Sequence, residues 1–233
     1  MGENSSVRER AILFSAPMVL AILAGRKTQT RRLVKLPRSM AGGDLSGGHP
    51  DLLMGVTPGL HVPMPDDRSE RLRNPWGWPE PSRLWVRETW APVNPDEPKG
   101  RGTEVVYRAD LPNLAEELAV KRLAPGARRW HPSIFMPRWA SRITLEVTGV
   151  RVERLRDLSE ADAVAEGARH FPDLPSTHPY GQDNRWSMGE PTATDECLGS
   201  ARHAFGNLWE SINGFGSWDV NPWVWCLSFQ RAQ

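Results

Sequence analysis

The stretch from Ser15 to Arg32 constrains the fold most, because a helical pattern ends inside it and a strand pattern follows at once. Ser15 and Pro17 are typical of the first turn of a helix. The apolar residues that come next recur at helical spacing: Met18, Val19, Ile22 and Leu23. Gly25 stands where helices commonly end, and the polar, β-branched residues after it favour a strand. The sequence therefore predicts a helix to about residue 24, a tight bend, and a strand from about residue 28.

The bend and the strand after it concentrate positive charge in Arg26, Lys27, Arg31 and Arg32. A basic, solvated strand edge would explain this run as well as a functional site would. Lys27 and Thr30 are three residues apart, so on a straight strand their side chains would lie on opposite faces. They can converge only if Lys27 still belongs to the bend.

These residues resemble a known motif. The pattern Gly25-x-Lys27-x-x-Thr30-x-Arg32 is similar to the signature Gly-x-Lys-x-x-(Thr/Glu)-x-Arg of the ASCH superfamily, small β-barrels with the PUA-like fold. The run from residue 22 to residue 30 resembles the corresponding run of the small bacterial N4-acetylcytidine amidohydrolases. A second patch, residues 144–148 followed by 157–166, resembles the same proteins.

The resemblance implies an α+β protein with a PUA-like mixed β-barrel, flanking helices and an amidohydrolase site. In those amidohydrolases a Thr, a Lys and a Glu form the catalytic set. By position they correspond to Thr30 as the nucleophile, Lys27 as its base, and Glu166 as the carboxylate that transfers a proton or orients the pair. The implied reaction removes the acyl group from an N4-acylated cytosine nucleoside and needs no cofactor. The expected substrate-binding residues are Arg26, Arg31, Arg32, Glu88 and Trp85.

Two other functions stay open. PUA-like barrels commonly bind RNA, so the basic bend could hold phosphates without any catalysis while some of the eleven tryptophans stack on bases. A ribonuclease is the third candidate, suggested by some ASCH members. Anchoring irregular loops to a barrel is the commoner use of such tryptophans. A net charge of only +1 favours a small substrate over a long nucleic-acid footprint.

Two carboxylates compete for the acidic role. Ser159 and Asp162 form a helix-capping signature, and a glycine after residue 166 is expected to end that helix, so Glu166 occupies its last turn. The helix dipole disfavours a carboxylate there by about 0.3–1 kcal/mol, which suggests that Glu166 meets a cation. Glu88 lies on an alternating strand pattern, and a structural pair with an arginine explains it equally well.

The whole chain, residues 1–233, is predicted to form one domain with loop insertions at about 37–81, 91–130 and 169–193. Residues 37–81 lack periodicity and have no counterpart in the small amidohydrolases, and residues 169–193 are again rich in loop-forming Pro and Gly. The helix candidate within 91–130 also resembles an insertion. The other predicted elements are strands at 11–14, 83–90, 103–108, 141–155 and 222–229, an extended segment at 133–139, and helices at 111–123, 159–166 and from 194 or 195 to about 214. The last strand has apolar residues on both faces, as in a strand that closes a barrel.

Composition limits the remaining classes. Cys197 and Cys226 are the only cysteines, without a Cys-x-x-Cys motif, which predicts a reducing compartment and neither a disulfide nor a zinc site. The six histidines show no ligand spacing, so no metal site is predicted. No apolar run approaches the ~20 residues that cross a bilayer, and the N-terminus does not resemble a secretory signal. We therefore expect a cytoplasmic monomer that binds a small modified nucleoside or RNA, and no membrane.

Overall fold

The computed structural model describes residues 8–34, 82–94, 100, 102–111, 130–174 and 185–232. Within these ranges the chain is a mixed α+β protein. Its strands are β1 (Arg8–Leu13), β2 (Gln29–Leu33), β3 (Ser82–Arg87), β4 (Trp90–Pro92), β5 (Val105–Tyr107), β6 (Thr144–Arg154), β7 (Arg169–His170), β8 (Trp186–Ser187) and β9 (Trp223–Arg231). Its α-helices are α1 (Ala16–Leu23), α2 (Glu160–Ala165) and α3 (Ala201–Asn213).

Five strands form one mixed sheet in the order β1-β3-β6-β9-β2. The β1–β3 pair is parallel and the other three pairs are antiparallel. β1 and β2 stand at the two ends of this order, and the described residues contain no pairing between them. The outer edge of β2 is therefore available to line a cavity.

The sheet is covered on both faces, and β9 contributes to both cores. Trp225, Leu227 and Phe229 pack with α1 in the larger core. Val224 packs with residues of α2 and α3 in the second core. Since successive side chains of a strand point to opposite faces, this alternation explains why the strand is apolar throughout. The prediction of a last strand buried from both sides is confirmed.

The local signals near residues 25 and 159 are confirmed. α1 ends at Leu23, and Gly25 follows with φ of +71°, a left-handed conformation that favours glycine. At the start of α2 the Ser159 hydroxyl accepts from the backbone N–H of Asp162, whose carboxylate accepts in return from the N–H of Ser159. The glycine after α1 and the capping interaction of α2 both depend on residues close together in the chain, so they can be predicted from the sequence alone.

Three predicted elements differ from the structure. The strand expected at 83–90 is divided into β3 and β4. The segment expected to be extended at 133–139 contains two short 3-10 turns, Ser133–Phe135 and Arg138–Ala140, each after a proline. The last helix begins at Ala201, not near residue 194, because the Ser200 hydroxyl caps it by accepting from the N–H of His203.

Two expectations fall outside the described residues. The region 37–81, expected to be irregular, lies entirely outside them. The helix expected at 111–123 lies outside them except for residue 111. Among the helices in the described ranges, none has the length and apolar character needed to cross a membrane.

Candidate active site at the edge of the sheet

The bend after α1 removes Lys27 from the strand register. The N–H groups of Arg26 and Lys27 both donate to the Ala21 carbonyl, at 2.9 and 3.0 Å. β2 begins only at Gln29. Strand geometry therefore does not force Lys27 and Thr30 onto opposite faces.

Lys27 and Glu166 form a buried ion pair, each residue being 2% exposed. The Lys27 Nζ lies 2.6 Å from Glu166 Oε2 and 2.8 Å from the Glu166 carbonyl oxygen. The N–H of Thr28 donates to the Ala165 carbonyl at 2.8 Å, which ties the bend to the end of α2. Burial lowers the pKa of Lys27 below its ordinary value, although the carboxylate of Glu166 opposes this shift. The amine therefore loses its proton more readily than an exposed lysine would.

Arg31 holds the second oxygen of Glu166. Its Nη1 lies 3.2 Å from Glu166 Oε1, its Nε donates to Glu153 Oε1 at 2.8 Å, and its Nη2 lies 3.5 Å from Asp162 Oδ2. The Arg31 side chain is fully buried. Because its charge faces three carboxylates, Arg31 acts as an internal clamp on Glu166.

A cavity of about 820 Å³ borders β2, whose outer edge pairs with no other strand in the described ranges. One wall comes from the end of β1 and the start of α1, and the opposite wall from α3. The lining residues are Leu13, Phe14, Ser15, Met18, Thr30, Arg31, Arg32, Leu33, Thr89, Ser133, Glu166, Phe205, Leu208, Trp209, Ile212, Asn213 and Trp225. Aromatic and aliphatic side chains predominate, and the few polar groups come from β2 and the end of α2, as is usual in sites for small molecules.

Thr30 lies in the wall of this cavity and is 1% exposed. Its hydroxyl has no hydrogen-bond partner among the described residues. A buried hydroxyl without a partner costs about 1–3 kcal/mol, so such groups need a reason to persist. Of the three expected catalytic residues, Thr30 and Glu166 thus line one cavity. Lys27 lies behind Glu166, outside the lining, and is hydrogen-bonded to Glu166 but not to Thr30.

Arg32 also lines the cavity, on the same face of β2 as Thr30 because the two are two residues apart. Its Nη2 donates to the Leu13 carbonyl at 2.7 Å and its Nη1 to the Arg31 carbonyl at 3.3 Å. The guanidinium carbon lies 5.2 Å from the centre of the Phe14 ring. Arg32 therefore links the edge strand β2 to the end of β1.

Glu88 is engaged elsewhere. Arg142 donates to both of its carboxylate oxygens, at 2.9 and 3.0 Å. Burial raises the pKa of Glu88, and the Arg142 guanidinium opposes that shift. The carboxylate that meets Lys27 in the structure is Glu166, and Glu88 has the arginine-paired arrangement that the sequence left open.

The other two expected substrate-binding residues lie outside the lining of this cavity. The guanidinium carbons of Arg87 and Arg138 lie 4.6 and 6.0 Å from the centre of the Trp85 ring. Arg26 lies 3.8 Å from a carboxylate oxygen of Glu190. Arg31 and Arg32 are the expected binding residues that the structure brings to the cavity.

Sequence reasoning missed the counter-charges Glu153 and Asp162 and the cavity residue Trp209. Trp209 is 5% exposed, and its indole N–H has no acceptor among the described residues. The apolar pattern of α3 was visible in the sequence, but that pattern does not distinguish a helix face that fills a core from one that lines a cavity.

Gly167 supports the site through its lack of a side chain. Its φ is +112°, and a Cβ there would lie 3.3 Å from the Ala21 Cβ and 3.6 Å from the Lys27 Cβ. Gly214 has a similar φ of +98° and open space around it. We expect Gly167→Ala to lower the free energy of unfolding by about 1–3 kcal/mol more than Gly214→Ala, because only the former crowds a packed site. Urea denaturation measures both, and equal losses would contradict this contact.

No family model matches this chain, and the searches of the curated proteins and of the solved structures also find no match. The argument for a function therefore depends on the residues of the site and on their geometry.

Proposed function

We propose that this chain is an ASCH-superfamily amidohydrolase with the PUA-like fold, which hydrolyses the acyl amide of N4-acylated cytosine nucleosides. The observation that carries the proposal is the buried hydroxyl of Thr30, which has no hydrogen-bond partner in the described ranges and lies in a cavity wall that also contains Glu166. Glu166 is in turn paired with a lysine whose pKa is lowered by burial. A nucleophile, a base and a carboxylate that orients the base are the parts that acyl transfer requires.

The chemistry runs in two stages. Thr30 Oγ1 attacks the acyl carbonyl while neutral Lys27 accepts the hydroxyl proton, giving a tetrahedral oxyanion. The bond between the acyl carbon and N4 then breaks, the proton passes to N4, and the acyl group remains on Thr30 as an ester. Water hydrolyses that ester to the free acid and restores the hydroxyl. Hydrogen bonds between such groups commonly tighten only when substrate is present, which accommodates the absence of a Thr30–Lys27 bond here.

Glu166 serves to position Lys27 in this scheme. Its Oε2 accepts from Nζ, and its Oε1 is held by the Arg31 guanidinium. A neutral Lys27 amine that donates its two N–H groups to Glu166 Oε2 and to the Glu166 carbonyl keeps its single lone pair free to accept a proton. The aromatic side chains Phe14, Phe205 and Trp209 offer faces against which a planar base can pack.

Burial of Lys27 and Arg31 favours an enzyme over an RNA-binding module. The side chains of Lys27 and Arg31 are fully buried and face carboxylates. Phosphate contacts that dominate RNA affinity need exposed cations. A ribonuclease would also need a phosphate to reach these groups. The site suits an uncharged amide better than a polyanionic strand.

The direct test is incubation with N4-acetylcytidine, followed by chromatography for cytidine and acetate. We expect kcat to rise with pH through the pKa of Lys27 and then level off, because the amine must be neutral to accept the proton. Since burial lowers that pKa, the rise should occur below 10.5, the ordinary value for lysine. Absence of cytidine would overturn the proposed reaction, and a rise only at or above the ordinary lysine pKa would exclude Lys27 as the base.

A further inference from the structure

The charged side chains near the cavity differ in their ion pairs. Glu166 is paired with Lys27 and Arg31, and Arg151 reaches Glu153 at 2.7 Å and Asp162 at 2.9 Å. Arg31 also lies within ion-pair distance of Glu153 and Asp162. Among the described residues, these three carboxylates thus pair with Lys27, Arg31 and Arg151, and Arg32 is not one of their partners.

Arg32 lines the cavity without a carboxylate partner in the part of the chain that the structure describes. Among the described residues no carboxylate oxygen lies within ion-pair distance of its guanidinium, which bonds only to the carbonyls of Leu13 and Arg31 and lies over Phe14. Burial lowers the pKa of this guanidinium, with Glu166 opposing the shift, as expected where no close anion compensates desolvation. Holding a half-buried charge without a counter-charge is unfavourable, so an anion that reached Arg32 would bind well.

The position of Arg32 connects it to the reacting end of the cavity. Thr30 and Arg32 share a face of β2 and are about 7 Å apart along the strand. Thr30 is 1% exposed, whereas the neighbours of Arg32 in the cavity wall, Leu13 and Leu33, are 44% and 41% exposed. Arg32 therefore lies toward the mouth and Thr30 toward the closed end, and one small ligand can touch both.

We propose that the cavity binds a ligand with a single oxyanion group, carboxylate or phosphate, that pairs with Arg32 while the uncharged part of the ligand packs against the aromatic walls. This inference rests on the proposed function for the identity of the uncharged part, an N4-acylated cytosine. Two substrates supply the anion: the 5′-phosphate of a nucleotide, or a carboxylate at the far end of a dicarboxylic acyl group.

The first experiment compares cytidine with cytidine 5′-monophosphate by isothermal titration calorimetry, which needs no turnover. If the phosphate is the source, we expect the nucleotide to bind about tenfold more tightly or better, as for a charge-assisted hydrogen bond. Arg32→Gln should bring the ratio of the two affinities to about one. Arg32→Lys should retain part of the preference for the nucleotide. Because the ratio is taken within each variant, a general loss of affinity does not affect it.

Arg154 provides a matched control. Its guanidinium also donates to a backbone carbonyl, that of Asn221, and lies 4.4 Å from the centre of an aromatic ring, that of Trp223. It is absent from the cavity lining. Arg154→Gln should leave the nucleotide-to-nucleoside ratio at the wild-type value, whereas an equal loss in both variants would show a long-range charge effect and overturn the assignment to Arg32.

The second experiment compares N4-succinylcytidine with N4-butanoylcytidine, by kcat/KM or, without turnover, by Kd. A preference of about tenfold for the succinyl compound that Arg32→Gln removes would identify the carboxylate as the source. If neither anion is preferred, the inference fails even where N4-acetylcytidine is hydrolysed. If an anion is preferred through Arg32 without any hydrolysis, the inference stands and the proposed reaction fails. Tighter binding of a single-stranded RNA than of the mononucleotide, with steep salt dependence, would overturn the inference in favour of RNA.

Discussion

Thr30→Val is expected to reduce hydrolysis of N4-acetylcytidine by a factor of about a thousand or more, because it removes the nucleophile from an acyl-transfer site. Valine has nearly the shape of threonine and lacks the hydroxyl. Since this hydroxyl is buried without a partner, its removal should leave the free energy of unfolding unchanged or raise it by about 1 kcal/mol. The two readouts are steady-state kinetics and urea denaturation.

A loss of activity without a loss of stability would distinguish removal of a nucleophile from general damage to the fold. Thr28 lies two residues earlier and its side chain is exposed, so Thr28→Val should leave both quantities near their wild-type values. A Thr30→Val protein that still hydrolyses N4-acetylcytidine at the wild-type rate would eliminate Thr30 as the nucleophile. A stable but inactive variant is the result that the proposed mechanism requires.

Arg31→Met is expected to lower the free energy of unfolding by about 3–5 kcal/mol, the usual effect of removing one partner from a buried ion pair. The guanidinium is fully buried and contacts Glu153, Asp162 and Glu166, whose charges it offsets. Arg151 can offset part of the charge on Glu153 and Asp162, but no second arginine in the described residues contacts Glu166. Chemical denaturation measures the loss.

Arg142→Met is the control that separates a general loss of stability from a specific effect on the candidate active site. Arg142 pairs with buried Glu88 through both oxygens, so its removal should also destabilise the protein. Neither residue lines the cavity. At a temperature where both variants remain folded, only Arg31→Met should alter the pH dependence of kcat, because only Arg31 contacts the carboxylate that holds Lys27. Identical pH profiles for Arg31→Met and the wild type would show that Arg31 contributes to folding alone.

The sequence by itself determined the parts of the fold that depend on near neighbours. Gly25 ends the first helix because only a residue that tolerates positive φ can turn the chain there. Ser159 and Asp162 cap the helix that carries Glu166, since both lie within one turn. The alternating apolar residues of the last strand required cover on both faces. These are local properties of the backbone and of side-chain spacing.

The tertiary structure alone decided which charges meet. Lys27 and Glu166 are 139 residues apart in the chain. The helix dipole and the family resemblance favoured Glu166, but local sequence did not exclude a pairing of Lys27 with Glu88. A basic run that would suit a solvated strand edge is divided by strand geometry: one face of β2 turns Arg31 toward carboxylates on β6 and α2, and the other turns Thr30 and Arg32 toward the cavity. Burial, and carboxylates on elements distant in the chain, determine which cations are paired, because electrostatic energy depends on distance in space and on exclusion of water.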